Sequence, residues 1–248
     1  MIVADARNPA ALALREELVR RLGEQGVDGL VLVVGGDGFL LHTVAERGTE
    51  ATYMGLNAGR IGFLMNDVDS LDDVVARLKT GAWRTWTFPL LRADLTLDDG
   101  TTQTVHAVND VALERSTGQT AHLALQIDGR AVVDTLVADG IIFATALGST
   151  AYAFSAGGPA CHPSLPAFVV TPVAPHHPRL SSFLLPADAT ARVEVLASHR
   201  RPVRAVTDGQ TLDHVLAAEL RLDDRQVRFA WLEGHDFTST MVTKILRP

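Results

Sequence analysis

The chain of 248 residues is 47% hydrophobic and 21% charged, the composition of a globular protein rather than a disordered or fibrous one. A formal charge of −7 argues against a general polyanion-binding surface, so no nucleic-acid partner is expected, and the single cysteine, Cys161, excludes an internal disulfide framework and any multi-cysteine zinc site. No apolar run approaches the roughly 20 residues of a membrane span, and the stretch from Met1 to Arg7 lacks a signal peptide's apolar segment, so no membrane association is expected and the expected location is cytoplasmic.

The first 88 residues read as alternating helix and strand. Asn8 is placed as an N-cap with Pro9 at the first helical position, and Gly23 and Gly26 close that segment. The unbroken apolar run Gly29-Leu30-Val31-Leu32-Val33-Val34 predicts a strand buried on both faces of a parallel sheet. Gly35-Gly36-Asp37-Gly38 follows, then a helix predicted from Phe39 to Arg47, a short strand from Thr52 to Leu56 and an amphipathic helix from Asp69 to Lys79. From Trp86 onward the pattern becomes short alternating runs such as Leu123-Leu125-Ile127 and Val193-Val195. Turn dipeptides such as Asp99-Gly100, Asp128-Gly129 and Asp208-Gly209 separate these runs. An α/β domain over 1–88 and a mostly antiparallel β domain over 89–235 are therefore expected.

Four segments could carry chemistry. Gly35-Gly36-Asp37-Gly38 joins a buried strand to a helix, where free N–H groups and the helix dipole favour phosphate. It lacks the third glycine of the dinucleotide fingerprint and the Gly-Lys of a Walker loop. A carboxylate among phosphate-binding amides repels its ligand unless it binds Mg²⁺ or accepts a proton from an attacking hydroxyl; the alternative is a tight turn. Asn109-Asp110 could hydrogen-bond ribose hydroxyls or cap a bulge. Asp139-Gly140 lies between apolar runs, where a carboxylate needs a partner, and Gly148 to Pro159 gathers hydroxyls, a tyrosine and small residues suited to a polar ligand. His176-His177 is a poor chelate, because neighbours on an extended segment point apart, and no serine-hydrolase elbow is present.

Taken in order, Gly35-Gly36-Asp37-Gly38, Asn57-Ala58-Gly59-Arg60-Ile61-Gly62-Phe63-Leu64, Val108-Asn109-Asp110-Val111, Ala138-Asp139-Gly140 to Gly158-Pro159, and Thr171-Pro172-Val173-Ala174-Pro175-His176 resemble the NAD kinases. The resemblance runs from about residue 30 to 210. It implies a diacylglycerol/6-phosphofructo-kinase-like fold, with an α/β N-terminal domain completed by 236–248 and a β-rich, antiparallel, sandwich-like C-terminal domain that binds NAD. The implied reaction is phosphorylation of the adenosine-ribose 2′-hydroxyl of NAD, with ATP or polyphosphate as donor and Mg²⁺ or another divalent metal. Asp37 is implied as general base, with Gly38 approaching the phosphates and His42 near them. Phe63 would pack by the dinucleotide. Asn109 and Asp110 would hold adenosine or ribose groups. Thr150, Ala151, Tyr152 and Ser155 would line the adenine and ribose pocket. Asp139 would anchor the nicotinamide end, and the Ala174 backbone and Gln210 would complete the site. No metal-ligating side chain is assigned, and a homo-oligomer, dimer or tetramer, is implied.

The chain departs from the family pattern in Phe39, where a threonine usually follows the loop, and in Asp110, where glutamate is commoner. Its N-terminal region is short, as if a strand or helix of the usual first domain were missing. The competing readings are a lipid or sugar kinase with the same loop and a catalytically weak NAD-binding sensor derived from a kinase.

Overall fold

The structure, a computed structural model, describes residues 1–59 and 62–246. The chain forms two compact units, one of Met1–Phe88 with Gln226–Pro248 and one of Pro89–Arg225.

The first unit starts with a strand the sequence reading did not anticipate: β1 (Ile2–Ala4) pairs in parallel with β2 (Leu30–Gly35), Ile2 beside Leu32 and Ala4 beside Val34. Three residues carry too little periodicity to be read as a strand. Helix α1 (Pro9–Leu22) is capped by Asn8, whose side chain accepts hydrogen bonds from the Ala10 and Ala11 N–H groups. Helix α2 (Asp37–Arg47) begins two residues earlier than its apolar pattern indicates. The Gly36 carbonyl accepts from both Phe39 and Leu40, so Asp37 and Gly38 already lie in the first turn. Strand β3 (Thr52–Asn57) runs parallel to β2, the two-residue β4 (Met65–Asn66) pairs with β3, and α3 (Leu71–Thr80) is capped by Ser70. Leu32, Val34, Met54 and Leu56 of the sheet pack with Leu18 of α1 and Val74 and Leu78 of α3. These parallel strands are buried on both faces, which is why they read as continuous apolar runs.

The second unit is built from β5 (Trp83–Leu97), β6 (Thr102–Ala107), β7 (Asp110–Arg115), β8 (Ala121–Ile127), β9 (Arg130–Ala138), β10 (Gly140–Thr145), β11 (Ala167–Val173), β12 (Phe183–Pro186), β13 (Ala191–Val195), β14 (Val203–Val206) and the long β15 (Thr211–Leu232). A 3₁₀ turn at Gly148–Thr150 and the one-turn helix α4 (Tyr152–Ser155) lie between β10 and β11. Strand β10 is flanked by β7 and β11, β7 also pairs with β14, and β8 pairs with β9 and β13, all antiparallel. The alternating residues form the core: Leu123, Leu125, Val193 and Leu220 are buried together, with Ile127 and Leu222 packed against them. Asp128 and Gly129, both at positive φ, close the tight β8–β9 hairpin.

The chain leaves the first unit within β5 and re-enters it within β15, whose Arg228 and Phe229 pair in parallel with Thr52 and Tyr53 of β3. Asn66 fastens this return, donating to the Gly55 and Ala230 carbonyls and accepting from the Leu232 N–H at 2.8 Å. Helix α5 (Phe237–Met241), capped by Asp236, and a π-helical turn at Val242–Leu246 follow. Among the described residues, no helix is long and apolar enough to cross a membrane.

Candidate active site

In the first unit, Asp37 is fixed by backbone. Its two carboxylate oxygens accept hydrogen bonds from the N–H groups of Phe63 at 2.8 Å and Leu64 at 3.0 Å. Burial pushes its carboxyl above the usual carboxylate range, while these two amides and the charge of Lys244 pull the other way. Gly62 packs on the same carboxylate: a Cβ there would meet Asp37 Oδ1 at 2.9 Å and Met65 Cγ at 2.6 Å. Gly36 and Gly38 are different. A Cβ at either would meet nothing within 4 Å, neither has positive φ, and Gly36 gives α2 no side-chain cap. The protein's own packing and backbone conformation do not demand glycine there, and the two glycines leave the helix N-terminus open to close approach. Phe39, one of the two departures noted in the sequence, turns its ring back onto Gly35. His42 is exposed and faces Glu46 at 3.2 Å. The Phe63 ring is buried, and its backbone is what reaches Asp37.

In the second unit, strands β7, β10, β11 and β14 bring together residues far apart in sequence. The Asp208 carboxylate, in the turn between β14 and β15, accepts from the N–H groups of Val108 and Asn109 and so pins the Asn109-Asp110 segment. The Asn109 carbonyl accepts from Thr145 N–H at 2.9 Å, and Gly148 lies directly against the Asn109 backbone. Asp110 accepts from the Tyr152 N–H. Burial first, then the nearby charges of Asp208 and Glu114, push its carboxyl up to about 7. Burial likewise pushes Asp208 up to about 6, against the pull of the amides it binds. Tyr152 hydrogen-bonds Glu114, and burial with this neighbour pushes the phenol up to about 12. Asp139 is met by Arg115, with Nε at 2.9 Å and Nη2 at 3.5 Å, which supplies the partner its position requires. Asp139 N–H donates to the Val173 carbonyl, which places Ala174, at φ 43°, next along the chain from that contact. Thr150 and Ala151 are partly buried, Ser155 and Gln210 are exposed, and the Gln210 carbonyl closes the turn around Asp208 by accepting from Thr207.

Asn109, Asp110, Tyr152 and the Asp208–Gln210 turn thus form one polar cluster, and Asp139, Arg115, Glu114 and Tyr152 continue it along β7. Ser149 and Cys161 are structural, since the buried Ser149 hydroxyl donates to the Ala146 carbonyl and accepts from Cys161 N–H. The sequence reading missed Asp208, Glu114, Arg115 and Lys244. In sequence Asp208 reads only as the turn residue of an Asp-Gly pair, and the other three carry no local motif. Among the described residues no group of three or more His, Cys, Asp or Glu could hold a metal ion.

Residues 108–223 match the family model for the ATP-NAD kinase C-terminal domain. An NAD kinase of Xanthomonas oryzae pv. oryzae is 35% identical over 242 residues, covering 94% of this chain and 93% of the relative. The chain belongs to the NAD kinase family. An NAD kinase of Brucella melitensis biotype 1 is 32% identical over 96% of this chain and 93% of its own length. The fold is that of solved NAD(H) kinases. Yeast NADH kinase, crystallised with NADH, superposes with a TM-score of 0.87 at 20% identity, covering 98% of this chain and 86% of its own. An NAD kinase of Archaeoglobus fulgidus, in complex with ATP, superposes with a TM-score of 0.79 at 23% identity over 99% of both chains.

Proposed function

We propose that this NAD kinase family member transfers a phosphoryl group from ATP or a related donor to the adenosine-ribose 2′-hydroxyl of NAD, forming NADP. The observation that carries the reading is the Asp37 carboxylate held by two backbone amides beside Gly36 and Gly38, whose side chains would meet open space. Phosphoryl transfer asks the protein mainly for placement and charge. Asp37 takes the hydroxyl proton as the ribose oxygen bonds to the γ-phosphorus and the bond to the leaving diphosphate breaks. A carboxyl raised by burial is a better proton acceptor than a surface one. The amides at the start of α2 bind donor phosphate oxygens, and a divalent ion arrives with the donor. In the second unit, taken as the NAD-binding domain, Asn109 and Asp110 bind adenosine or ribose groups and Thr150 to Ser155 line their pocket. Asp139 anchors the nicotinamide end, with Ala174 and Gln210 completing the site. We further assign a homo-oligomeric, cytoplasmic enzyme.

The test is NADP formation by the purified chain with NAD and Mg²⁺, comparing ATP with polyphosphate. Asp37→Asn should lose at least about 10²-fold in turnover with little change in NAD affinity. Near-normal turnover would remove Asp37 from its role, and NAD binding without NADP formation by the unaltered chain would make it a sensor.

A further inference from the structure

The peptide group between Gly62 and Phe63 lies between two opposite charges. Its N–H donates to Asp37 Oδ2 at 2.8 Å, and its carbonyl accepts from Lys244 Nζ at 2.8 Å. Lys244 comes from the π-helical turn near the end of the chain, 182 residues from Gly62. Its ammonium is oriented by Asp67, at 3.0 Å from Oδ2 and 3.2 Å from Oδ1, and Asp67 is in turn held by Asn57 at 3.2 Å. Asn57 opens the segment leading to Gly62. The order is therefore Asn57, Asp67, Lys244, the 62–63 peptide, Asp37.

We propose that Lys244 is a positioning residue for Asp37: it holds the 62–63 peptide in the one orientation whose N–H faces the carboxylate and polarises that N–H toward it. The peptide dipole lies with its oxygen toward the cation and its hydrogen toward the anion, so each hydrogen bond strengthens the other. Rotating the peptide by half a turn would aim a carbonyl at Asp37 and break both bonds. Gly62 has no side chain to hold the peptide, since a Cβ would strike Asp37 and Met65. The anchor has to come from elsewhere in the fold, and Lys244 supplies it. Among the described residues, the charged groups around this arrangement are Lys244 itself, Asp67, and Glu233, His235 and Asp236 from the segment before α5. His235 is held neutral, pushed down to about 4 by burial and by Lys244. Among the described residues, Lys244 is thus the cation acting on Asp37. It lines an open cleft of about 330 Å³ with Asn66, Asp67, His235 and Thr243, so shortening it leaves solvent rather than a void in the core.

The proposal rests on Asp37 being the base, and its test reads Asp37 in two ways. Lys244→Met keeps the stem and removes the charge, and Lys244→Arg restores a donor cation. In NADP formation, Lys244→Met should lower kcat about 10-fold, the loss expected for one charge-assisted hydrogen bond, with KM for NAD changed less than about threefold. Removing a cation raises a carboxyl pKa. The acid limb of the kcat profile should therefore move to higher pH, the deficit should shrink as pH rises, and Lys244→Arg should recover most of the loss. Independently, the Asp37 carboxyl carbon titrated by ¹³C NMR should show a higher midpoint in Lys244→Met than in the unaltered chain. An unchanged midpoint, or a loss equal at every pH and not recovered by arginine, overturns the proposal. If the unaltered chain makes no NADP with any donor, the functional reading fails, and the carbon titration still decides whether Lys244 acts on Asp37.

Discussion

Gly36 and Gly148 both sit in glycine-rich segments, for opposite reasons. An alanine at 36 would meet open space, whereas one at 148 would enter the Asn109 backbone. Gly36→Ala should leave the melting temperature within about 1 °C, as for a surface change, while raising the donor KM roughly 10-fold by blocking close approach to the α2 amides. Gly148→Ala should instead cost about 1–3 kcal/mol, measured by urea unfolding, because backbone has to move. The same distinction explains Asp208. Beside Gly209 it reads as an ordinary turn residue, yet its side chain satisfies the N–H groups of Val108 and Asn109 about a hundred residues earlier. Asp208→Ala would leave those donors unpaired. The expected result is a KM for NAD raised about 10-fold or more, in line with 1–3 kcal/mol per unsatisfied buried donor, with the donor KM unchanged.

At the scale of elements, β7 and the β14–β15 turn bring two inward carboxyls together. Asp110 rises from 3.8 to about 7 and Asp208 from 3.8 to about 6. Both folded values lie above the unfolded ones, so the folded chain holds extra protons between these limits. The stability they contribute is complete below about pH 4 and is lost as pH rises through 6 and 7. The melting temperature should therefore fall between pH 5 and pH 8, and Asp110→Asn should flatten that fall; a scan by differential calorimetry measures both. Elements with strong periodicity were legible from sequence. The apolar run before Gly35 is β2, the helix capped by Asn8 is α1, and the alternating leucines and valines are β8 and β13. What escaped was whatever tertiary contacts determine. The strand β1 exists because Ile2 to Ala4 find the edge of β2, and Arg115 beside Asp139 and Lys244 beside Gly62 are neighbours only once the sheets form. The glycine loop and the Asn109 motif were visible as candidate sites, but the groups that hold them in place were not.

On the scale of the whole molecule, each unit has its own core, and the first is completed by a distant part of the chain. Trp231 sits edge-on to Trp86 and Phe237 and stacks on His235 at 5.1 Å. Trp231→Ala should cost about 3–5 kcal/mol. Limited proteolysis should then cut within 1–88 and 226–246 first, while 89–225 stays protected by the cluster around Leu123, Phe143 and Val193. Simultaneous loss of both regions would mean that the two cores unfold as one.

The split of the first unit also orders events on the ribosome. Residues 89–225 are made between its two parts, a delay on the order of 10 s at usual elongation rates. Through that interval β3 lacks the neighbour that Arg228 and Phe229 provide, and Asp37 lacks the cation of Lys244. The nascent chain therefore carries its glycine loop early, and the Asp37 carboxylate within it gains its electrostatic setting only when the segment bearing Lys244 has been made and has folded back.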